Sequence, residues 1–473
     1  MSSDASQAQG VPEIAPSAIS GEAPSPTKDS VAEESSGAKR RRNNRGQTGK
    51  DRREHAKRKY AERRREGDER GREVRDPDES NESRLPKRRV ALLVGYCGSG
   101  YQGMQANPGA HTIERDLFKA LCGAGAVSAD NATDQHKVQL QRAARTDKGV
   151  HAAGQVVSLK MIIEDPELVK KLNDHLPAQI RAWGFVRVVR SFNAKTMCDS
   201  RIYEYLLPTY VFMEPSRRGR EIAETIDIAE REVPASAPEE MELKRAYRVS
   251  AATLQFVRDA FAKYNGSHDF RNFTVTKGCT ENNSRRHIYW FDVSDPMMVQ
   301  GSEWLSLKVK GQSFMLHQIR KMVGLIILMA RSGAPLALMD KLFGGPLVNV
   351  PKAPGLGLLL EQPVFDGYNK RTAAQKEGAS GQVEFEPYKA EIDAFKQEFI
   401  YDNIVNTELA ESTFDNWVMN TEVFPEQFTY INKEGVIPES AIVVPGQSMF
   451  HPRDAADGKP AESSEDEHDG NDD

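Results

Sequence analysis

Arg142-Ala-Ala-Arg145-Thr146-Asp147-Lys148-Gly149-Val150-His151-Ala-Ala-Gly154-Gln155 is the stretch around which this chain is organised. The run before it, Val138-Gln-Leu140-Gln-Arg142-Ala, alternates with the period of two expected of a strand with one buried face. The run after it, Val156-Val157-Ser158-Leu159-Lys160, is again β-rich. Asp147 is therefore expected in a tight, glycine-containing loop between two strands, where a sheet can hold a side chain at the floor of a cleft. Arg145 and Lys148 flank its carboxylate, and neighbouring cations favour the charged form. A carboxylate kept ionised on a rigid loop suits a nucleophile better than a proton donor. The competing use of such an acid is an Asp-Gly turn in which it caps backbone amides. On its own the loop favours that use, because structural ion pairs perturb carboxylates too. The rest of the chain has to decide.

The 473 residues are enough for two or three domains, and an apolar share of 38% is low for a wholly globular chain. The deficit sits in the two ends. A net charge of −5 conceals a basic N-terminal arm and an acidic C-terminal tail. Cys97, Cys122, Cys198 and Cys279 lie far apart without a Cys-x-x-Cys pair, which argues against a zinc ribbon or a secreted disulfide framework and for a reducing compartment. The first 30 residues carry Pro, Ser and acid where a signal peptide needs an apolar core. The best membrane candidate, within Phe314 to Ala330, contains His317, Gln318, Arg320 and Lys321, and its uninterrupted part is too short to span. It reads as a buried helix.

Residues 1–87 read as a disordered arm. Within it, 39–75 carries Lys39-Arg40-Arg41-Arg42, Lys57-Arg58-Lys59 and Arg63-Arg64-Arg65, clusters that fit nuclear import machinery or nonspecific phosphate contact. The alternative is a solvated charged arm with neither role. Folded chain is expected over 88–370, with an acidic, Pro- and Glu-rich insertion at 214–247. Strands are expected at Arg89–Val94, 180–189, Ser200–Pro208, His287–Val293 and Trp304–Val309, and helices at Thr112–Leu121, 166–176, Ala251–Tyr264 and Phe314–Ser332. Gly266 to Phe273 reads as an aromatic, Arg-containing loop. Gly95-Tyr96-Cys97-Gly98-Ser99-Gly100-Tyr101-Gln102-Gly103-Met104-Gln105 lacks the spacing of a P-loop or dinucleotide fingerprint, and its glycines are expected to let a polynucleotide backbone approach. Beyond it come a helical extension at 371–453, rich in Phe and Tyr, and a disordered acidic tail at 454–473.

Four stretches, in order, carry a resemblance. Ala144-Arg145-Thr146-Asp147-Lys148-Gly149-Val150-His151-Ala152 resembles the signature of the TruA-like tRNA pseudouridine synthases. Arg201-Ile-Tyr203-Glu-Tyr205, Gly311-Gln-Ser-Phe314-Met-Leu-His317-Gln-Ile-Arg320-Lys-Met-Val-Gly324, and Ala353-Pro354 followed by Gly357-Leu358 match the same family. The glycine-rich loop is similar to that of the eukaryotic multisite, nuclear branch. The resemblance implies the pseudouridine synthase fold, an α+β arrangement with a mixed, mainly antiparallel sheet flanked by helices and a central RNA-binding cleft. It implies isomerisation of uridine in tRNA at several positions, with small nuclear RNA and messenger RNA as further substrate classes left open.

That reaction breaks the N1–C1′ bond, turns the uracil over and rejoins it through C5. No redox step occurs, so no cofactor and no metal is expected. The resemblance makes Asp147 the catalytic acid residue and Tyr203 the ring that stacks on the target uracil and takes the C5 proton. Leu358 would pack on the base's other side, and Arg145 would fill the gap left by the extruded nucleotide. Arg320 reads as mid-helix in an apolar stretch, a costly place for an unpaired cation, which pairing with Asp147 would resolve. Snorkelling to solvent is its competing use. Tyr205 is read as core. His268, His287 and His317 are read as structural or RNA-contacting, and Arg142, Lys148, Lys160 and Arg271 as phosphate contacts. A glycoside hydrolase would need a second carboxylate close to Asp147, where this loop offers cations. A non-catalytic RNA-binding or chaperone protein with this fold is the other alternative, weighed against by the presence of Asp147, Tyr203 and Arg320 together.

Overall fold

In the computed structural model, residues 85–225, 233–275, 281–373 and 380–443 are described. The basic arm, the acidic tail and Cys279 lie outside them. The frame is a ten-stranded sheet: β1 (Lys87–Tyr96), β2 (Gln141–Arg142), β3 (His151–Ile162), β4 (Ile180–Arg187), β5 (Ser200–Pro208), β6 (Gly266–Asp269), β7 (Arg285–Val293), β8 (Met297–Val299), β9 (Ser302–Gly311) and β10 (Leu358–Val364). The main order is β4-β1-β3-β10-β5-β9-β7-β6, with β2 added to β3 and β8 to β9. Every pairing is antiparallel except β10 on β3. A mixed, mainly antiparallel sheet with helices packed on it is therefore the architecture, as the resemblance implies.

Several local expectations need correcting. Val138 to Ala143 is not one strand: Gln135–Val138 forms a 3-10 turn ended by Gln139 at φ 55°, and only Gln141–Arg142 pairs with β3. The 266–273 stretch is not a loop, because Gly266–Asp269 pairs with β7 and Arg271–Phe273 follows as a 3-10 turn. The long apolar helix starts at Gln318, four residues later than its composition suggests. His317 precedes it at φ 60°, so the chain turns sharply there and Phe314–Leu316 belongs to a loop. Arg320 consequently stands in the first turn of the helix, not in its middle.

Six helices matter below: α1 (Ile113–Gly123), α2 (Arg217–Thr225), α3 (Pro238–Ala246), α4 (Gln318–Ser332), α5 (Asp402–Glu411) and α6 (Thr413–Val423). Helix α4 is buried on nearly every side, as its composition requires. The described part of the 371–453 extension shares the main hydrophobic core, through Phe395, Ile400, Ile404 and Phe414. Polar ties reinforce this. Lys396 Nζ lies 3.0 Å from Glu204 Oε2 on β5 and 2.7 Å from Glu361 Oε2 on β10. The 214–247 insertion supplies α2 and α3, and these are stitched to the same extension: Lys244 pairs with Asp415, and Glu422 accepts from the Ser216 amide and hydroxyl and pairs with Arg331.

Candidate active site

The Asp147 loop is held from four directions. Tyr96 Oη and Thr146 Oγ1 lie 2.8 Å apart in the interior. Gln155 on β3 folds back, accepting from Ala144 N (3.2 Å) and donating to Ala144 O (2.8 Å). Met104 N donates to Thr146 O, and Gly149 N to Tyr101 O. The Gly98 amide donates to Nδ1 of His151, a fully buried ring whose pKa burial lowers to about 4, so it stays neutral. These contacts revise the expectation for the glycine-rich loop. A Cβ at Gly98 would overlap the Val150 carbonyl, and one at Gly103 (φ 105°) would sit 2.8 Å from Thr146 O. The close approach those glycines permit is to the Asp147 loop itself.

Asp147 Oδ2 lies 3.6 Å from His317 Nε2, with side-chain exposures of 38% and 20%. The carboxylate thus faces the N-terminal end of α4, where helix geometry favours negative charge. One turn in, the buried Arg320 donates through Nε to Ala353 O at 2.7 Å, and Ala353 N donates back to Arg320 O at 3.1 Å. A Cβ at Gly355 would lie 3.5 Å from the guanidinium carbon, so the Ala353-Pro354-Gly355 turn lies against that side chain. The Asp147 loop, the start of α4 and the turn before β10 are distant in sequence and meet here.

Tyr203 and Tyr205 share one face of β5, and Glu204 points to the other. Tyr203 is 8% exposed and its ring meets Phe314 edge-on at 5.3 Å. Burial pushes its hydroxyl well above the ordinary tyrosine value; Arg201 opposes that shift and the nearby charge of Asp147 adds to it. Tyr205 is deeper, donating to Pro354 O at 2.6 Å, which agrees with its reading as core. Leu358 is buried, and its register partner on β5 is Tyr205, while Leu360 pairs with Tyr203.

Of the expected phosphate contacts, Lys148 and Lys160 are exposed, as is Arg145, the residue expected to fill the gap left by the extruded nucleotide. Arg142 is not available in that way: its Nε pairs with the fully buried carboxylate of Glu114 on α1. An acid in a first helical turn would ordinarily face water, but desolvation here raises the Glu114 carboxyl, and Arg142 is the cation that offsets it. Arg271 donates through Nε to Asp269 Oδ2 at 2.7 Å. His317, read from the sequence as structural or RNA-contacting, faces Asp147 and stands three residues before Arg320 in the same motif. Arg201, the first residue of the matching stretch that contains Tyr203, was given no role of its own by the sequence, and it bonds across the site.

Comparison with known proteins gives the family. Residues 260–366 match a family model described as tRNA pseudouridine synthase. A tRNA pseudouridine synthase 1 of Yarrowia lipolytica is 38% identical over 434 residues, covering 79% of this chain and 82% of the relative. The chain belongs to the TruA-like tRNA pseudouridine synthase family. It is an RNA pseudouridine synthase, an isomerase. The Schizosaccharomyces pombe tRNA pseudouridine synthase 1 is 37% identical, covering 74% of this chain and 86% of its own length. A mouse protein named pseudouridylate synthase 1 homolog is 42% identical, covering 72% of this chain and 75% of its own length. The family match to residues 260–366 takes in β7, β9, α4 and the Ala353–Leu358 turn, but the Asp147 loop lies outside it.

Proposed function

We propose that this chain isomerises uridine to pseudouridine at several positions in tRNA, with Asp147 as the catalytic group, Arg320 as its ion-pair partner and Tyr203 at the target base. One observation supports the reading most: a partly exposed carboxylate on a pinned loop, facing the N-terminal end of a buried helix beside a buried tyrosine. Asp147 either adds to the substrate or assists formation of a glycal. The bonds balance without an outside reagent: N1–C1′ breaks, C5–C1′ forms, the C5 proton leaves and N1 gains one. Tyr203 is protonated at neutral pH, so it accepts the C5 proton as its own passes on to N1, the position that gains one, and Arg201 favours the phenolate character this requires. Lys148 and Lys160 supply phosphate contacts whose strength falls with salt, and Arg145 fills the gap left by the extruded nucleotide.

The test is Asp147→Ala with unmodified tRNA and nucleotide-resolution mapping. Pseudouridine should vanish while RNA binding persists; turnover near the parent rate defeats the assignment. Small nuclear RNA and messenger RNA transcripts in the same assay define the breadth of substrates. We further propose nuclear residence through import receptors reading the 39–75 clusters. A tagged chain lacking 1–75 should lose nuclear accumulation and keep its activity, and unchanged imaging would refute the address.

A further inference from the structure

We propose that Arg201 is a positioning residue that fixes the two halves of the site against each other. The proposal rests on the reading of Asp147 as catalytic. One guanidinium holds two carbonyls from distant parts of the chain. Its Nε and Nη2 donate to Ala143 O at 3.3 and 2.8 Å, and its Nη1 donates to Gln312 O at 3.1 Å. Ala143 follows β2 and stands four residues before Asp147. Gln312 follows β9 and stands five residues before His317, at the start of the loop that delivers Phe314, His317 and the first turn of α4. Between them runs β5, whose second residue is Arg201 and whose fourth is Tyr203.

The backbone needs this anchor because regular pairing stops short on both sides. Strand β2 is two residues long, its last ladder partnership being Arg142 with Val157. Strand β9 ends at Gly311, opposite Arg201 itself. One residue further on, each side is still tied to its own neighbour, Ala143 N donating to Val156 O and Gln312 N to His287 O, both at 2.9 Å; neither bond links the Asp147 loop to the His317 loop, and a planar fork with donors on two sides does. Lysine has the charge but not the fork, so it cannot hold both carbonyls in one fixed geometry. Arg201 also places a positive charge beside Tyr203, where it works against the effect of burial on the hydroxyl.

The experiment compares Arg201→Lys and Arg201→Met with the parent full chain, using tritium release from RNA carrying 5-tritiated uridine. Arg201→Lys should lower kcat about 10-fold and Arg201→Met about 100-fold or more, with KM within threefold in both, because misplacement of the reacting groups reaches the transition state more than RNA binding. Either of two results would overturn the proposal: kcat within twofold of the parent in Arg201→Met, or a loss confined to KM. A kcat loss that is restored fully by assaying well below the variant's unfolding temperature would reduce Arg201 to a stability residue and also overturn it. Asp147→Ala separates the two layers. If it is inactive while Arg201→Met is normal, only the positioning role fails; if it is active, the reading beneath it fails.

Discussion

Replacing Lys396 by Met tests whether the C-terminal extension is part of the catalytic fold. Lys396 is 4% exposed and lies against two carboxylates, Glu204 at 3.0 Å and Glu361 at 2.7 Å, with Tyr401 Oη donating to the same Glu204. At an effective dielectric of about 20, each contact is worth about 5–6 kcal/mol before desolvation is counted. Desolvating the three charges offsets most of that, so the network as a whole adds little net stability. Removing the cation alone is different, because Glu204 is 2% exposed and would remain charged and buried. The expected loss is about 3–5 kcal/mol at pH 7, read from urea unfolding. The sign of its pH dependence follows. In the parent, burial pushes the Glu204 carboxyl up, and Lys396, Lys308 and Ser306 bring it below the usual carboxylate range. Without Lys396 the largest opposition to burial is gone, Lys308 and Ser306 remaining, and the folded-state pKa rises. A raised carboxyl takes up protons on folding, so the variant should recover stability as pH falls from 7 towards 5. Adding Glu204→Gln should restore part of the loss at pH 7, through the coupling that a double-mutant cycle measures. A loss below about 1 kcal/mol, or one that does not change between pH 5 and 7, would refute the argument.

Two further outcomes follow from buried charge. Arg142→Met should destabilise the fold by about 3–5 kcal/mol by stranding Glu114, while the slope of log affinity for tRNA against log salt stays unchanged. A slope smaller by about 0.9 would return Arg142 to the RNA. Glu408 is raised to about 7, first by desolvation, with the neighbouring Asp415 adding to it and the Tyr210 hydroxyl and Phe414 amide opposing. Its contribution is therefore present below the ordinary glutamate value and lost as pH rises through about 7. Glu408→Gln should then be more stable than the parent at pH 8, with the difference narrowing towards pH 5; a constant difference in urea midpoint across that range would contradict the assignment.

Much of the molecule was legible in the sequence because it rests on local pattern. Ser200–Pro208 forms the strand as read, and Arg89–Val94 lies within β1. Where reading failed, a tertiary force overrode the local one. Phe314-Met-Leu looks helical by composition, yet the chain is turned at His317 by a left-handed residue, and the apolar side chains of that loop are used against Tyr203. Glu114 and Asp116 both suit the first turn of a helix. Only burial of Glu114 under the Asp147 loop separates their roles, and no spacing rule announces which acid will be covered.

The sequence by itself determined the order of the strands and helices, the identity of the four motif stretches and the type of chemistry a cation-flanked aspartate suits, since these depend on periodicity and side-chain type over short spans. It could not determine which cations serve the site and which serve the scaffold. Arg142, Arg145, Arg201 and Arg320 are alike as letters. One pairs with a buried acid, one is exposed, one bridges two carbonyls and one packs beneath the Ala353–Gly355 turn. The difference is what each guanidinium meets when segments well separated in sequence, up to 111 residues for Arg201 and Gln312, close on one another, and that is set by packing across the sheet.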